Sequence, residues 1–366
     1  MSEMNPGERA VAMNKAKTIC AALRRELLDG SASMRSLPSE RALMRRFAAA
    51  RETVRRALDA LEAEGLVVRQ IGKGTFPSKR ARQMPGRIGL IVLSYAEIFA
   101  PICAEIGRLC REHGLELLFG DVSALDYAAR AEQVRRFAHD FVERRVSGVI
   151  LQPISFVENA EALNAEMRAL FADAGVPVVL LDSGWPDGVA EADVVGIDNF
   201  RCGQDLADHL KAHGARRALF LTRPHAPPSN VLRHQGVQSR MDCLFLPVEP
   251  DDAAALRRAL KRHKPDALVC GYDVYAANVL KPLGVLGVSV PGDILLTGFD
   301  DVKYATLVSP ALTTVRHPCA DIASAAFEAL LARTAAPDRP PRTVLLHAPI
   351  ITRESTSRDE KANQIT

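Results

Sequence analysis

The chain has 366 residues with 47 Lys+Arg, 44 Asp+Glu, 48% hydrophobic and 25% charged residues, a composition that excludes disordered and collagen-like classes and fits two or three globular domains. Its longest apolar runs, residues 88–93 and 176–181, are far shorter than the roughly 18 residues of a membrane helix, so no membrane partner is expected. The seven cysteines are scattered without a CxxC pair and the N-terminus lacks a signal-peptide core, which argues against a disulfide scaffold and for a reducing, cytoplasmic location.

The net charge of +3 is divided unevenly along the chain. Residues 1–86 carry 17 basic and 9 acidic groups (+8), leaving 30 basic and 35 acidic groups (−5) for the remainder. A basic head on an acidic body is the distribution expected when only the head meets a polyanion.

Within the head, Ile19, Leu23 and Leu27 recur every four positions from Lys15 to Leu28 and predict an amphipathic helix stopped at Asp29-Gly30. Leu37-Pro38-Ser39 offers a Ser N-cap for a short helix over Glu40–Phe47. A third helix is expected over Arg51–Glu64, with Val54, Leu58 and Leu61 on one side and Arg55, Arg56, Glu52 and Asp59 elsewhere. The runs 66–71 and 75–76 flank Gly72-Lys73-Gly74 and predict a hairpin. Three helices and such a hairpin make a winged helix-turn-helix whose third helix can enter a major groove. Six arginines (41, 45, 46, 51, 55, 56) supply groups that bond guanine edges or phosphate.

Residues 37–76, LPSERALMRRFAAARETVRRALDALEAEGLVVRQIGKGTF, resemble the DNA-binding domain of the GntR family without a gap. The resemblance implies a DNA-binding set of Ser39, Arg41, Arg51, Glu52, Thr53, Arg55 and the tip Gly72, Lys73 and Gly74, with Arg41 and Arg51 approaching bases and the tip reaching the minor groove. Ala50 stands where the family commonly has a capping Ser, which weakens the start of the third helix; Glu52 in the first turn offsets part of that loss through the helix dipole.

After a basic linker at 79–86, short apolar strands alternate with helices, which predicts α/β units with parallel sheets. Strands are expected at 88–93, 115–119, 147–151, 176–181, 193–197, 217–221, 243–248, 267–270 and 294–299, and helices near 100–113, 128–145, 158–174, 199–213, 251–263 and 273–286. The loop 182–192 divides the strands into a first group of four and a second of five, hence two doubly wound lobes facing a cleft. The expected domains are a head (1–78), linker (79–86), body (87–358) and tail (359–366), with lobe 1 at 87–182 and 311–333 and lobe 2 at 193–300 and 342–354.

The body resembles the effector domain of LacI-type repressors, which has the two-lobed periplasmic-binding-protein-like fold. The segments that carry the resemblance are GRIGLIV, RRVSGVILQP, AGVPVVLLDS, VVGIDNFRCGQDLADHLKAHGARRALFL, the long run from PDALVCGYD to TTVRHP, and ITRES. The resemblance implies a small-molecule effector of sugar type and a homodimer on a palindromic double-stranded operator. Strand ends and family motifs nominate Ser94, Tyr95 and Phe99 in the first lobe and Arg233, Tyr272, Asp273 and Asp300 in the second as effector ligands. Arg233 stands three residues before Gly236, as in the family's RxxG motif. Tyr272 replaces an asparagine common in the family, and the stretch 236–246 is short, which predicts a truncated helix there.

Hydrolase, zinc-protease, Walker and dinucleotide motifs are absent from the sequence, and no cofactor or metal is implied; His209 and His213, four apart, look like part of a scaffold helix. The expected function is therefore a ligand-responsive transcriptional repressor released from DNA by its effector. A regulator whose DNA binding is tightened by ligand, and an enzyme built on the two-lobed fold, remain open alternatives at this point.

Overall fold

The computed structural model describes residues 6–28, 36–63, 65–70, 73–78, 86–92, 97–122 and 127–357. The head comprises α1 (Pro6–Leu28), α2 (Glu40–Arg46), α3 (Arg51–Ala63) and the antiparallel wing β1 (Val67–Gln70) and β2 (Gly74–Pro77). Ile19, Leu23 and Leu27 of α1 pack with Leu43, Val54, Leu58 and Leu61 into one small core. Ser39 Oγ accepts the Ala42 N–H at 3.2 Å and caps α2 as expected. The tight turn from α2 to α3 is made by Ala48, at φ 46°.

The body contains two all-parallel sheets. The first has six strands in the order β13-β7-β6-β5-β3-β4: β3 (Arg87–Val92), β4 (Glu116–Asp121), β5 (Gly148–Leu151), β6 (Val178–Leu181), β7 (Asp193–Ile197) and β13 (Thr343–Leu346). The second has four, in the order β11-β10-β8-β9: β8 (Arg217–Thr222), β9 (Asp242–Pro247), β10 (Ala267–Cys270) and β11 (Leu295–Thr297). A parallel strand needs cover on both faces, and the near-continuous Val/Leu/Ile composition of these strands reflects that burial. One face of sheet 1 is covered by α4 (Phe99–Glu112) and α12 (Cys319–Ala335), the other by α5 (Tyr127–Glu143) and α6 (Ala160–Asp173). Sheet 2 lies between α7 (Asn199–Ala212) with α8 (Pro228–Gln238) and α9 (Ala253–His263) with α10 (Asp273–Val285), and a short α11 (Tyr304–Leu307) follows β11.

Two features of the expected lobe division are corrected. Strand β7 lies beside β6 in sheet 1 (Val179 opposite Asp193) and β13 lies beside β7 (Thr343 opposite Val194), so 193–197 and 343–346 belong to lobe 1. Conversely, the segment 311–333 begins in lobe 2, where Leu312 joins the core of Leu296 and Ala305, and enters lobe 1 only at α12. The strands therefore divide as six and four.

The chain crosses between the lobes three times. It leaves lobe 1 after β7, returns beyond β12 (Thr314–Val315), and crosses back through β14 (Ile350–Ile351), which pairs with β12. Ser355 then fastens the last segment to lobe 2 by donating to Leu296 O at 2.5 Å and accepting the Thr313 N–H at 2.8 Å. The seven cysteines are all free.

Lobe 1 is stapled at one charged point. Asp193, 1% exposed at the start of β7, accepts from Arg333 Nε and Nη2 (3.0 and 2.9 Å), Arg339 Nη2 at 2.7 Å and the Arg342 N–H at 2.7 Å. One carboxylate thus joins β7, α12 and the entry to β13.

Candidate functional site

In the head, Arg51 and Arg55 lie one turn apart on the exposed side of α3 and share a carboxylate, Glu40 of α2, at 3.1 and 3.3 Å. Burial pushes the Glu40 carboxyl upward, but the hydrogen bonds from Arg51 and Arg55 outweigh it and hold the group below its ordinary value. The acid thus holds the two guanidinium groups side by side on the outer face of the head. Glu52 pairs with Arg56 four residues on, and Arg69 of the wing reaches back to Asp59 at 2.7 Å and to the Arg55 carbonyl at 3.3 Å, tying the wing to α3. Ser39, Arg41, Lys73 and Gly74 are exposed, and Gly74 has φ 113°, a conformation that suits glycine. Gly72 lies outside the described residues. Thr53 is a correction: it is 6% exposed and packs on the inner side of α3, so it belongs to the head's core rather than to an open contact surface.

In the body, a cavity of about 140 Å³ opens between the carboxyl ends of the two sheets, where a doubly wound fold places its ligands. Of the effector-ligand candidates, Phe99, Arg233, Tyr272 and Asp300 lie on its wall; Ser94 and Tyr95 lie outside the described residues. Phe156 meets Tyr272 edge-on at 5.9 Å, and its backbone N–H donates across the cleft to His225 O at 2.8 Å.

Arg233 is the centre of the polar wall. It is 4% exposed, and its Nε donates to Asn199 Oδ1 at 2.8 Å and its Nη1 to Gly271 O at 2.7 Å. Its face rests 4.4 Å over Phe299, and Asp182 and Asp300 lie 3.7 and 4.0 Å from its terminal nitrogens. The arginine reaches this position because α7 and α8 cross on a pair of glycines, Gly203 and Gly236; a β-carbon on either would lie inside contact distance of the other helix's backbone. The structure thus supplies the reason for glycine three residues after Arg233. Helix α8 spans three turns, and three residues join it to β9.

Asp300 holds φ 106° and is half-buried at the cavity wall; burial drives its carboxyl well above the ordinary aspartate range, with Arg233 opposing and Asp273 and Asp182 adding to the rise. His317, which sequence reasoning missed, lines the cavity beside it. Burial first, then Arg233, push its imidazole well below the usual histidine range, so it is neutral. Asp182 was also missed as a wall residue, being read only as the start of a loop; its φ of 69° turns it into the cleft.

Asp273 is the second correction. It is fully buried and does not line the cavity: its carboxyl accepts Thr314 Oγ1–H at 2.6 Å and the Val302 N–H at 3.0 Å, tying α10 to the crossing segments. Burial raises its pKa to about 7, against the lowering effect of those two bonds. An acid with a raised folded value favours the native state below its unfolded pKa and loses that contribution as pH rises toward the folded one. Wild-type melting temperature should therefore fall from pH 5 to 7.5 more steeply than that of Asp273→Asn, a difference that calorimetric melts across this range measure.

Residues 15–76 match the family description "Bacterial regulatory proteins, gntR family", and residues 207–356 match "Periplasmic binding protein-like domain". The chain joins a GntR-type winged helix-turn-helix to a LacI-type, periplasmic-binding-protein-like effector domain. It is similar to the "HTH-type transcriptional repressor PurR" of Escherichia coli O1:K1 / APEC, 27% identical over 284 residues, 74% of this chain and 80% of that protein. Among solved structures it is similar to a periplasmic binding protein/LacI transcriptional regulator from Alkaliphilus metalliredigens QYMF complexed with D-xylulofuranose (21% identity, TM-score 0.61, 74% of this chain and 99% of that one). It is also similar to a "transcriptional regulator CelR-cellobiose complex" (21% identity, TM-score 0.62, 84% and 91%). These likenesses agree with the mixed α/β architecture of parallel sheets described above.

Its gntR-family head marks it as a DNA-binding regulator, and its relatives are transcriptional regulators rather than enzymes. None of the described helices is long and apolar enough to cross a membrane. In this GntR-type head, Arg51→Ala should weaken specific operator binding by about 1–3 kcal/mol and relax base preference. Fluorescence anisotropy against the operator and a scrambled duplex at two salt concentrations measures this; equal losses on both duplexes would reassign Arg51 to phosphate contact.

Proposed function

We propose that the chain is a cytoplasmic, homodimeric repressor whose hold on a palindromic operator is loosened when a sugar-like small molecule binds the cleft. The observation that carries the reading is the wall around Arg233. Hydrogen-bonding groups, half-buried (Asp182, Asp300) or buried (Asn230, His317), share the wall with aromatic side chains (Phe99, Phe156, Tyr272), the combination that suits a ring with hydroxyls on its edge and C–H groups on its faces. The named repressor among its relatives and the two sugar complexes among its structural neighbours support the same class.

In this reading Arg41, Arg51, Arg55, Lys73 and Gly74 meet the duplex, with Glu40 positioning two of the arginines. Two heads related by a two-fold axis match two half-sites. A ligand that binds the closed cleft better than the open one shifts the lobe equilibrium, and the three crossings between the lobes act as the hinge.

The test is a thermal-shift panel of sugars, polyols and nucleosides on the full chain, followed by operator titration with and without the hit. At 100 times its dissociation constant a ligand should stabilise the body by about 2.7 kcal/mol, and operator affinity should drop. Tighter operator binding with ligand would overturn the inducer reading in favour of a corepressor or activator.

A further inference from the structure

We propose that the cleft is built for an uncharged effector, held through an oxygen atom at His317 Nδ1–H, and that it rejects phosphorylated or carboxylated forms of the same molecule. The proposal rests on the ligand-binding reading above and adds the charge class of the ligand.

The first argument is that the buried arginine is already committed. A guanidinium has five N–H donors in a fixed fork, and a bidentate clamp on phosphate or carboxylate needs two of them along one edge. Arg233 spends Nε on Asn199, one Nη1 hydrogen on Gly271 O, and points Nη2 at His317 Nε2, 3.5 Å away. Asp182 and Asp300 lie within 4.0 Å of the same terminal nitrogens, and Phe299 lies against the guanidinium face.

The second argument is the charge inventory of the wall. Among the described lining residues, Arg223 is paired with Glu249 at 3.2 Å, and Glu97 with Lys303 at 2.6 Å. The lining acids Glu97, Asp182 and Asp300 outnumber the lining arginines 223 and 233. An anion entering this cleft would lose its hydration and meet acids, with no cationic edge on offer; an uncompensated buried charge is costly.

The third argument identifies the reading group. Arginine only donates, so the nitrogen of His317 that faces it, Nε2, carries the lone pair. The proton of the neutral ring is then on Nδ1. That atom is buried on the cavity wall without a hydrogen-bond partner, 3.5 Å from Asp300 Oδ1. A hydroxyl, ether or carbonyl oxygen of a neutral ligand can accept from it, and a ligand hydroxyl hydrogen can turn to Asp300.

The test is calorimetric titration of the full chain with three neutral sugars beside anionic congeners: D-ribose and D-ribose 5-phosphate, D-xylulose and D-xylulose 5-phosphate, cellobiose and cellobionate. Any member that binds is expected to be neutral, with its anionic congener at least about tenfold weaker; a congener that binds more tightly than its parent overturns the proposal. His317→Leu should weaken the neutral sugar by at least about tenfold, and His317→Gln, which restores an N–H donor, should recover part of it; an unchanged His317→Leu removes His317 from the ligand.

Inorganic phosphate decides the matter even if every sugar is silent. Phosphate heats should be the same in wild type and Arg233→Gln, and Asp182→Asn, which releases one arm of Arg233, should gain phosphate binding that Asp182→Asn/Arg233→Gln lacks. Arg233-dependent phosphate binding in wild type, or no gain in Asp182→Asn, overturns it. A neutral sugar that binds without moving operator affinity would instead overturn the inducer reading and leave this one standing.

Discussion

Gly236→Val should destabilise the effector domain by about 3 kcal/mol and abolish the ligand response while leaving the head's fold intact. The glycine sits where α8 crosses α7, and a β-carbon there would fall inside contact distance of the Phe200 carbonyl oxygen and 3.0 Å from the Gly203 Cα. Both obstacles are backbone, so no side-chain rotation relieves them; the helices must separate. Arg233 is one turn earlier on the same helix, and its 2.8 Å bond to Asn199 at the start of α7 measures the same separation. Gly203→Val should behave alike, since its β-carbon meets the Arg233 carbonyl, and the double variant should not rescue either. Gly284→Ala, near the end of α10, has nothing within 4 Å of the added carbon and should be neutral or stabilising by about 0.4–1 kcal/mol. Melting curves and effector calorimetry on the four variants check the set; a Gly236→Val protein with wild-type melting would mean that the helices do not cross as described.

Asp193→Ala should cost lobe 1 about 3–5 kcal/mol, because it leaves Arg333 and Arg339 partly buried without their common carboxylate. Burial alone would raise the Asp193 pKa; the hydrogen bonds from Arg333, Arg339 and the Arg342 N–H together hold it below its ordinary value. That stabilisation is present above the unfolded aspartate pKa and lost as pH falls through the depressed value, opposite in sign to the Asp273 effect. Urea unfolding followed by circular dichroism at pH 7 gives the magnitude. A loss below about 1 kcal/mol would show a pair of the exposed, weakly contributing kind.

The head was almost wholly legible in the sequence, because its signals are local. The four-residue recurrence of Ile19, Leu23 and Leu27 and the Pro38-Ser39 cap each act within one or two helical turns. Nine strands of the body were legible for the same reason, as apolar runs between turns, whereas β13, after α12, was not among those expected. The assignment of strands to sheets was not legible, since Val-Leu-rich strands such as β7 and β13 fit either core, and parallel partners are chosen by crossovers rather than by local pattern. The site shows the same division. Arg233, Tyr272 and Asp300 stand at strand ends or in a motif and could be found. Asp273 and Asp300 both follow strand ends in the sequence, and the difference between a structural acid and a cleft acid depends on the close packing of Asp273 against Gly298. His317 enters the cleft only because the segment carrying Arg316 runs beside Asp300, a pairing that no local pattern announces.

The late arrival of β13 bears on how the protein emerges from the ribosome. Every strand of the four-stranded sheet lies between Arg217 and Thr297, so that sheet can form while the tail is still being synthesised, with Ser355 fastening it at the end. The six-stranded lobe begins earlier, at Arg87, yet must wait for α12, Arg339 and the strand ending at Leu346. The sheet begun first is completed last. In the interval the β7 edge, with Asp193 on it, lacks its partner strand, leaving a row of unpaired backbone groups until β13 arrives.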